Sequence, residues 1–80
     1  MQITIYSDAG HAWAEVEKAL CAGLNISRYS YEKDDLAYLE EDCDLAKLCA
    51  KLKSEGVDFQ FDEIHQGDHS PIRNYNQFRN

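Results

Sequence analysis

The sequence predicts an α+β fold with the element order β-α-β-β-α-β, and this order most naturally forms a ferredoxin-like antiparallel sheet. Apolar residues alternate along short segments, as in strands, and recur at helical spacing along two longer ones. The length of 80 residues allows one small domain. We therefore expect the strand order 4-1-3-2, with two helices on one face of the sheet. The domain is expected to span residues 1–66, and residues 67–80 are expected to form a C-terminal tail packed on the sheet.

The first half of the chain predicts a strand, a turn and a helix. The strand covers Ile3–Tyr6, where two isoleucines alternate with Thr and Tyr. The segment Ser7–Gly10 has the residue types of a turn or a helix cap. A helix is expected from about His11 to Ala22, because apolar residues recur there at i, i+3 and i+7: Trp13, Val16 and Leu20. Gly23 supplies the residue type that commonly ends a helix.

The middle of the chain predicts a hairpin and a second helix. The hairpin strands are Arg28–Tyr31 and Leu36–Leu39, with the polar segment Glu32–Asp35 as the turn. Asp42 or Asp44 is expected to cap the second helix. The apolar face of that helix has helical spacing and consists of Leu45, Leu48, Cys49 and Leu52.

The end of the chain predicts a last strand and a tail of opposite charge. Alternation indicates that one face of the strand carries Val57, Phe59 and Phe61. The segment Ser70–Asn80 has two arginines and no acid, with an apolar residue at every third position: Ile72, Tyr75 and Phe78. We expect this tail to lie across the open face of the sheet and bury those residues. The alternative is an extended arm that docks on a partner or on a second copy of the chain.

The charge balance excludes some classes of ligand. Fifteen acidic against eight basic residues give a net charge of −7, which disfavours direct binding of nucleic acid or of an anionic membrane. No apolar stretch is long enough to span a bilayer, and the beginning of the chain does not resemble a signal peptide. The three cysteines are an odd number, as expected for reduced thiols. We expect a cytoplasmic protein of a bacterial host cell, a monomer or homodimer, without a cofactor or a metal ion.

Three segments carry a resemblance that covers nearly the whole chain. They are Asp8–Trp13, Tyr38–Asp44 and Ser70–Tyr75, which read DAGHAW, YLEEDCD and SPIRNY. They resemble motifs of small uncharacterised proteins carried by bacterial phages and mobile elements. The resemblance implies a setting and no mechanism. By analogy of size and charge with inhibitors of bacterial defence systems, it suggests an anti-defence role.

An acidic run is the main candidate for a functional surface. Seven acids fall between residues 32 and 44, beside one lysine: Glu32, Asp34, Asp35, Glu40, Glu41, Asp42 and Asp44. Turn formation and helix capping account for some of them, but crowded like charges repel one another. We expect these residues to bind a basic protein surface, such as that of a host complex that handles nucleic acid. Glu40, Glu41, Asp42 and Asp44 form the main group, and the hairpin acids form a second group.

The alternative site lies at the turn after the first strand. Ser7, Asp8, Gly10 and His11 would surround the N-terminus of the expected helix, where backbone N–H groups favour an anion. His11 is the residue type of a general base, so this site would serve an anion-binding module or a small enzyme. The simpler interpretation is a capped helix with a surface histidine. We expect a binding protein with no catalytic residues.

Overall fold

The structure, a computed structural model, describes residues 1–80 and contains one mixed six-stranded sheet with one α-helix. The strands and the helix are β1 Gln2–Ser7, β2 Ala12–Glu17, β3 Tyr31–Lys33, β4 Leu36–Glu40, α1 Leu45–Ser54, β5 Gln60–His65 and β6 Asn76–Gln77. Two short 3-10 helices complete the fold, at Lys18–Cys21 and Pro71–Asn74. The strand order is β5-β1-β2-β4-β3-β6. Only β1 and β5 run parallel, and every other neighbouring pair is antiparallel.

The predicted ferredoxin-like α+β fold is wrong. The sheet has six strands instead of four, its order is not 4-1-3-2, and it has one helix instead of two. The missing helix is the one expected from His11 to Ala22. In its place β2 follows β1 through the four-residue turn Asp8–His11, and the 3-10 helix follows β2. The fold is therefore dominated by its sheet.

The strand β2 was mistaken for a helix because both of its faces are buried. Ala14 and Val16 face the main core, and Trp13 lies in a separate buried cluster on the other side of the sheet. A central strand covered on both faces loses the apolar–polar alternation that identifies a strand. The residues of β2 then coincide with a helical spacing. Pairing with β1 on one side and β4 on the other overrides the helical preference of Ala and Glu.

The main core lies between the sheet and α1. The helix has ten residues and contains the predicted apolar face, of which it buries Leu45, Leu48 and Leu52. They pack with Ile3 of β1, Ala14 and Val16 of β2, and Ala37 and Leu39 of β4. The helix is the longest in the structure, and no helix is both long and apolar enough to cross a bilayer.

The C-terminal segment lies on the opposite face of the sheet. Ile72 of the 3-10 helix is buried against Trp13 and Tyr38, and Tyr75 packs against the same cluster. Phe78 instead contacts the main core, and β6 extends the sheet beside β3. The C-terminal segment and α1 therefore cover opposite faces of β2 and β4.

A hairpin forms where one was predicted, but its first strand is Tyr31–Lys33 instead of Arg28–Tyr31, and the last strand of the chain is also displaced. β3 and β4 pair as antiparallel neighbours, and Asp34 and Asp35 form their turn. β5 begins at Gln60 and not at Val57, because its register with β1 starts at the pair Gln2 and Gln60. β5 is an edge strand, so it stays largely exposed.

Candidate functional site

The turn between β1 and β2 is organised by the buried carboxylate of Asp8. Its oxygens accept hydrogen bonds from the backbone N–H groups of Gly10 and His11, at 2.9 and 3.0 Å. They also accept from the backbone N–H of Ser70 at 2.8 Å and from Arg73 Nε and Nη2 at 2.6 and 2.9 Å. Arg73 holds the pKa of this carboxyl far below its usual range. Asp8 thus ties the turn to the C-terminal segment.

This turn has no helix N-terminus, so the predicted anion site lacks the feature on which it was based. The N–H groups of Gly10 and His11 point to Asp8 and are not free for an external anion. Gly10 leaves room for the guanidinium of Arg73: a Cβ atom here would lie 2.9 Å from Arg73 Nη2, so a larger residue would displace that group. Ser7 lies on the other side of the turn, and its hydroxyl is 3.1 Å from Glu63 Oε2 and 3.2 Å from His65 Nδ1.

His11 lies beside Glu40 at the end of β4. Its Nδ1 is 3.3 Å from Glu40 Oε1, since the strand pairing places Trp13 opposite Glu40. The other carboxylate oxygen of Glu40 accepts the backbone N–H groups of Asp42 and Cys43, both at 2.9 Å. Glu40 is buried and shapes the turn that leads into α1. The structure therefore brings His11 of the alternative site together with Glu40 and Asp42 of the acidic group.

Asp44 is fully buried and stabilises the fold. It accepts hydrogen bonds from Ser27 Oγ at 2.6 Å, from the Ser27 backbone N–H at 2.9 Å, from Ser30 Oγ and from Lys47 Nζ at 2.9 Å. Burial raises the pKa of this carboxyl, but the hydrogen bonds from Ser27 and Ser30 outweigh burial and lower it overall. A partner cannot reach this group directly.

The hairpin acids lie at the other end of β4. Asp34 and Asp35 are exposed in the turn. Glu32 accepts the backbone N–H of Arg79 at 2.7 Å and pairs with Lys18 at 3.0 Å, and these two contacts lower the pKa of its carboxyl. The seven predicted acids are thus divided between two ends of one strand. Glu41 and Asp42 are the exposed members of the main group.

An open cleft of about 350 Å³ lies next to Glu40. We call it the aromatic cleft, and its lining residues are His11, Trp13, Tyr29, Tyr31, Glu40, Asp42, Cys43 and Arg73. The ring centroids of Trp13 and Tyr31 are 6.0 Å apart in an edge-on arrangement, and the guanidinium of Arg73 lies 5.1 Å from the Trp13 ring centre. The indole N–H of Trp13 is buried and has no hydrogen-bond partner.

A second, more polar concavity of about 230 Å³ shares His11 and Asp42 with the aromatic cleft. Three further carboxylates line it, from Asp8, Glu41 and Glu63. His11, Glu40 and Asp42 also offer one potential metal-ligand atom each, all within 4.8 Å of one another. This group is the only one of its kind in the structure, and it lies where the two concavities meet.

Sequence reasoning identified most of these polar residues but not their common location. Glu40 and Asp42 were predicted as members of the acidic group, His11 as part of the alternative site, and the two arginines as an inverted charge in the tail. The link between His11 and Glu40 depends on β2, which pairs Trp13 with Glu40. Because the sequence predicted a helix at that position, no pattern could place the imidazole beside the carboxylate.

Comparison of the chain with protein-family models, curated proteins and solved structures found no match. These comparisons give no support to a phage origin or an anti-defence role.

Proposed function

We propose that this chain is a binding module that docks on a basic protein surface and receives an arginine or lysine side chain in the aromatic cleft. One observation carries the proposal: the exposed side chain of Asp42 lines the same cleft as the half-exposed ring of Tyr29 and the ring of Tyr31. Aromatic faces and carboxylates are the two groups that attract a guanidinium or an ammonium. Glu41, next to Asp42, adds a second exposed carboxylate.

The chain's own Arg73 supports this assignment. Its guanidinium lies over the Trp13 ring and forms two hydrogen bonds with Asp8. Across the cleft, the guanidinium of Arg28 already lies 5.3 Å from the Tyr29 ring centre, and the ring of Tyr31 and the carboxylate of Asp42 line the same cleft. A second cationic side chain would find similar chemistry there, with more exposure to solvent.

The charge of the molecule supports a basic partner. A net charge of −7 attracts positively charged surfaces and repels nucleic acid. Proteins that handle nucleic acid have basic grooves, so they are the class of partner that we propose. Charge attraction of this kind raises the association rate and weakens binding as salt increases. We place this encounter in the bacterial cytoplasm, a setting that the three unpaired cysteines support.

Binding of a short arginine-rich peptide tests the proposal directly. The measurement is the fluorescence anisotropy of the labelled peptide at low and high salt. The double substitution Glu41→Lys and Asp42→Lys is expected to weaken binding at least tenfold at low salt, because it replaces attraction with repulsion beside the cleft. Glu40 is left unchanged, since its buried carboxylate holds the turn before α1.

The matched control carries the same change of charge elsewhere. Asp35→Lys with Asp58→Lys alters two exposed acids away from the cleft and is expected to keep most of the affinity. Equal losses in both double variants would mean that net charge alone binds the peptide, and the proposal would fail. A loss confined to the control would move the binding surface to the hairpin end of β4.

A further inference from the structure

We propose that His11, Glu40 and Asp42 bind one zinc ion at the edge of the aromatic cleft. The inference does not depend on the proposed binding function, because it concerns the metal ion alone. It starts from an imbalance of charge around Glu40. The structure buries three carboxylates: Asp8, Glu40 and Asp44.

Glu40 is the only one of the three without a permanent cation beside it. Asp8 pairs with Arg73, and Asp44 pairs with Lys47. The Glu40 carboxylate has only the imidazole of His11, which carries a charge only when protonated, and two backbone N–H groups. Buried charges in proteins are normally paired or bind a metal ion. A divalent cation supplies the missing charge when His11 is neutral.

The distance between the first two ligand atoms suits a tetrahedral ion. His11 Nδ1 and Glu40 Oε1 are 3.3 Å apart. Two ligands that each lie about 2.1 Å from zinc at the tetrahedral angle are separated by about 3.4 Å. An ion therefore fits between them with little movement of either side chain.

Asp42 supplies the third ligand. Its carboxylate lies within the 4.8 Å spread of the three ligand atoms, and its side chain is exposed. Only its backbone N–H is engaged by Glu40, at 2.9 Å. Its side chain is not held by a hydrogen bond in the structure, so it is free to turn toward the ion.

The backbone around the site orients both inner ligands. The second oxygen of Glu40 is fixed by the backbone N–H groups of Asp42 and Cys43, and the backbone N–H of His11 is fixed by Asp8. Contacts of this kind hold metal ligands in a productive orientation. They limit the rearrangement needed to bind the ion.

The donor set favours zinc over harder ions. One imidazole nitrogen and two carboxylate oxygens are typical of zinc sites that keep a fourth position open, whereas calcium and magnesium prefer oxygen ligands alone. The open position would face the cleft, where a water molecule could complete the coordination.

Zinc titration of the full chain, without an affinity tag and after removal of metal with a chelator, tests the proposal. Isothermal titration calorimetry with zinc chloride is expected to give one ion per chain. The fluorescence of Trp13, the only tryptophan, is expected to change with the same midpoint, because its ring centroid is 6.0 Å from that of His11. His11→Ala is expected to weaken binding at least tenfold.

Control variants distinguish this site from zinc binding by other histidine or cysteine side chains. His69 and Cys49 lie outside the site, so His69→Ala and Cys49→Ser are expected to bind zinc as the unchanged chain does. His11 is exposed, so its substitution is expected to keep the fold, and circular dichroism checks this for each variant. The proposal is overturned if the unchanged chain takes up no zinc, or if His11→Ala binds zinc equally well. Loss of binding in Cys43→Ser with full binding in His11→Ala would also overturn it, in favour of a thiol site.

Discussion

At the scale of single residues, Asp8 connects the two ends of the chain. It accepts hydrogen bonds from the β1–β2 turn and from Ser70 and Arg73, more than sixty residues away. The pair with Arg73 positions this guanidinium over Trp13, and so it forms one wall of the aromatic cleft. A residue that resembles a simple helix cap in the sequence is therefore central to the site.

Asp8→Asn is expected to lower the free energy of unfolding by about 3 kcal/mol at pH 7, because it removes the negative charge of a buried carboxylate that pairs with the partly exposed Arg73. Urea unfolding followed by circular dichroism measures the difference. The folded pKa of Asp8 lies below its unfolded value of about 3.9, so this stabilisation is complete above that pH. The difference between the two proteins should then shrink as the pH falls below about 4.

A matched substitution at an exposed acid provides the comparison. Asp62→Asn changes the same chemical group on the exposed strand β5, and it is expected to alter stability by less than about 1 kcal/mol. If Asp8→Asn is as mild as Asp62→Asn, the carboxylate does not hold the turn to the C-terminal segment.

At the scale of elements, the parts of the fold that follow from local pattern were predictable. β1 alternates and α1 has leucines at helical spacing, and the hairpin turn Asp34–Asp35 lies within the predicted turn Glu32–Asp35, whose first two residues belong to β3 instead. β2 was not predictable in this way, because it is buried on both faces. Its identity depends on pairing with β1 and β4 and on cover from a segment more than fifty residues later.

The accessible residues of the candidate site also depend on the fold. The sequence indicated which acids are crowded, but burial decides which of them a partner can reach. Glu40 and Asp44 satisfy backbone and side-chain donors inside the protein, whereas Glu41 and Asp42 remain exposed. A pattern of charge along the chain cannot distinguish these two situations without the fold.

The C-terminal 3-10 helix is expected to stabilise the second face of the sheet through Ile72. Ile72→Ala should lower the free energy of unfolding by about 3 kcal/mol, since it leaves a cavity against Trp13 and Tyr38. The control is Ile64→Ala on β5, where the side chain is about half exposed and a change below about 1 kcal/mol is expected. Chemical denaturation measures both, and equal effects would mean that the segment is not packed on the sheet.

At the scale of the whole molecule, charge and fold act together. The chain has a net charge of −7. Its small sheet is covered on one face by α1 and on the other by the C-terminal segment. Three parts of the chain meet at one corner of this sheet and form the aromatic cleft: the β1–β2 turn, the end of β4 and the 3-10 helix Pro71–Asn74. Asp42 belongs both to the proposed docking surface and to the proposed zinc site, so an ion bound there would compete with a basic side chain.

The central claim is that the aromatic cleft is the surface that receives a basic partner. Nuclear magnetic resonance of the isotope-labelled chain, titrated with the arginine-rich peptide in the absence of metal, tests it most directly. The single indole N–H of Trp13 and the backbone amides of Tyr29, Tyr31 and Asp42 are expected to shift together with one affinity. Shifts confined to the hairpin acids Asp34 and Asp35, or spread evenly over all exposed acids, would contradict the account.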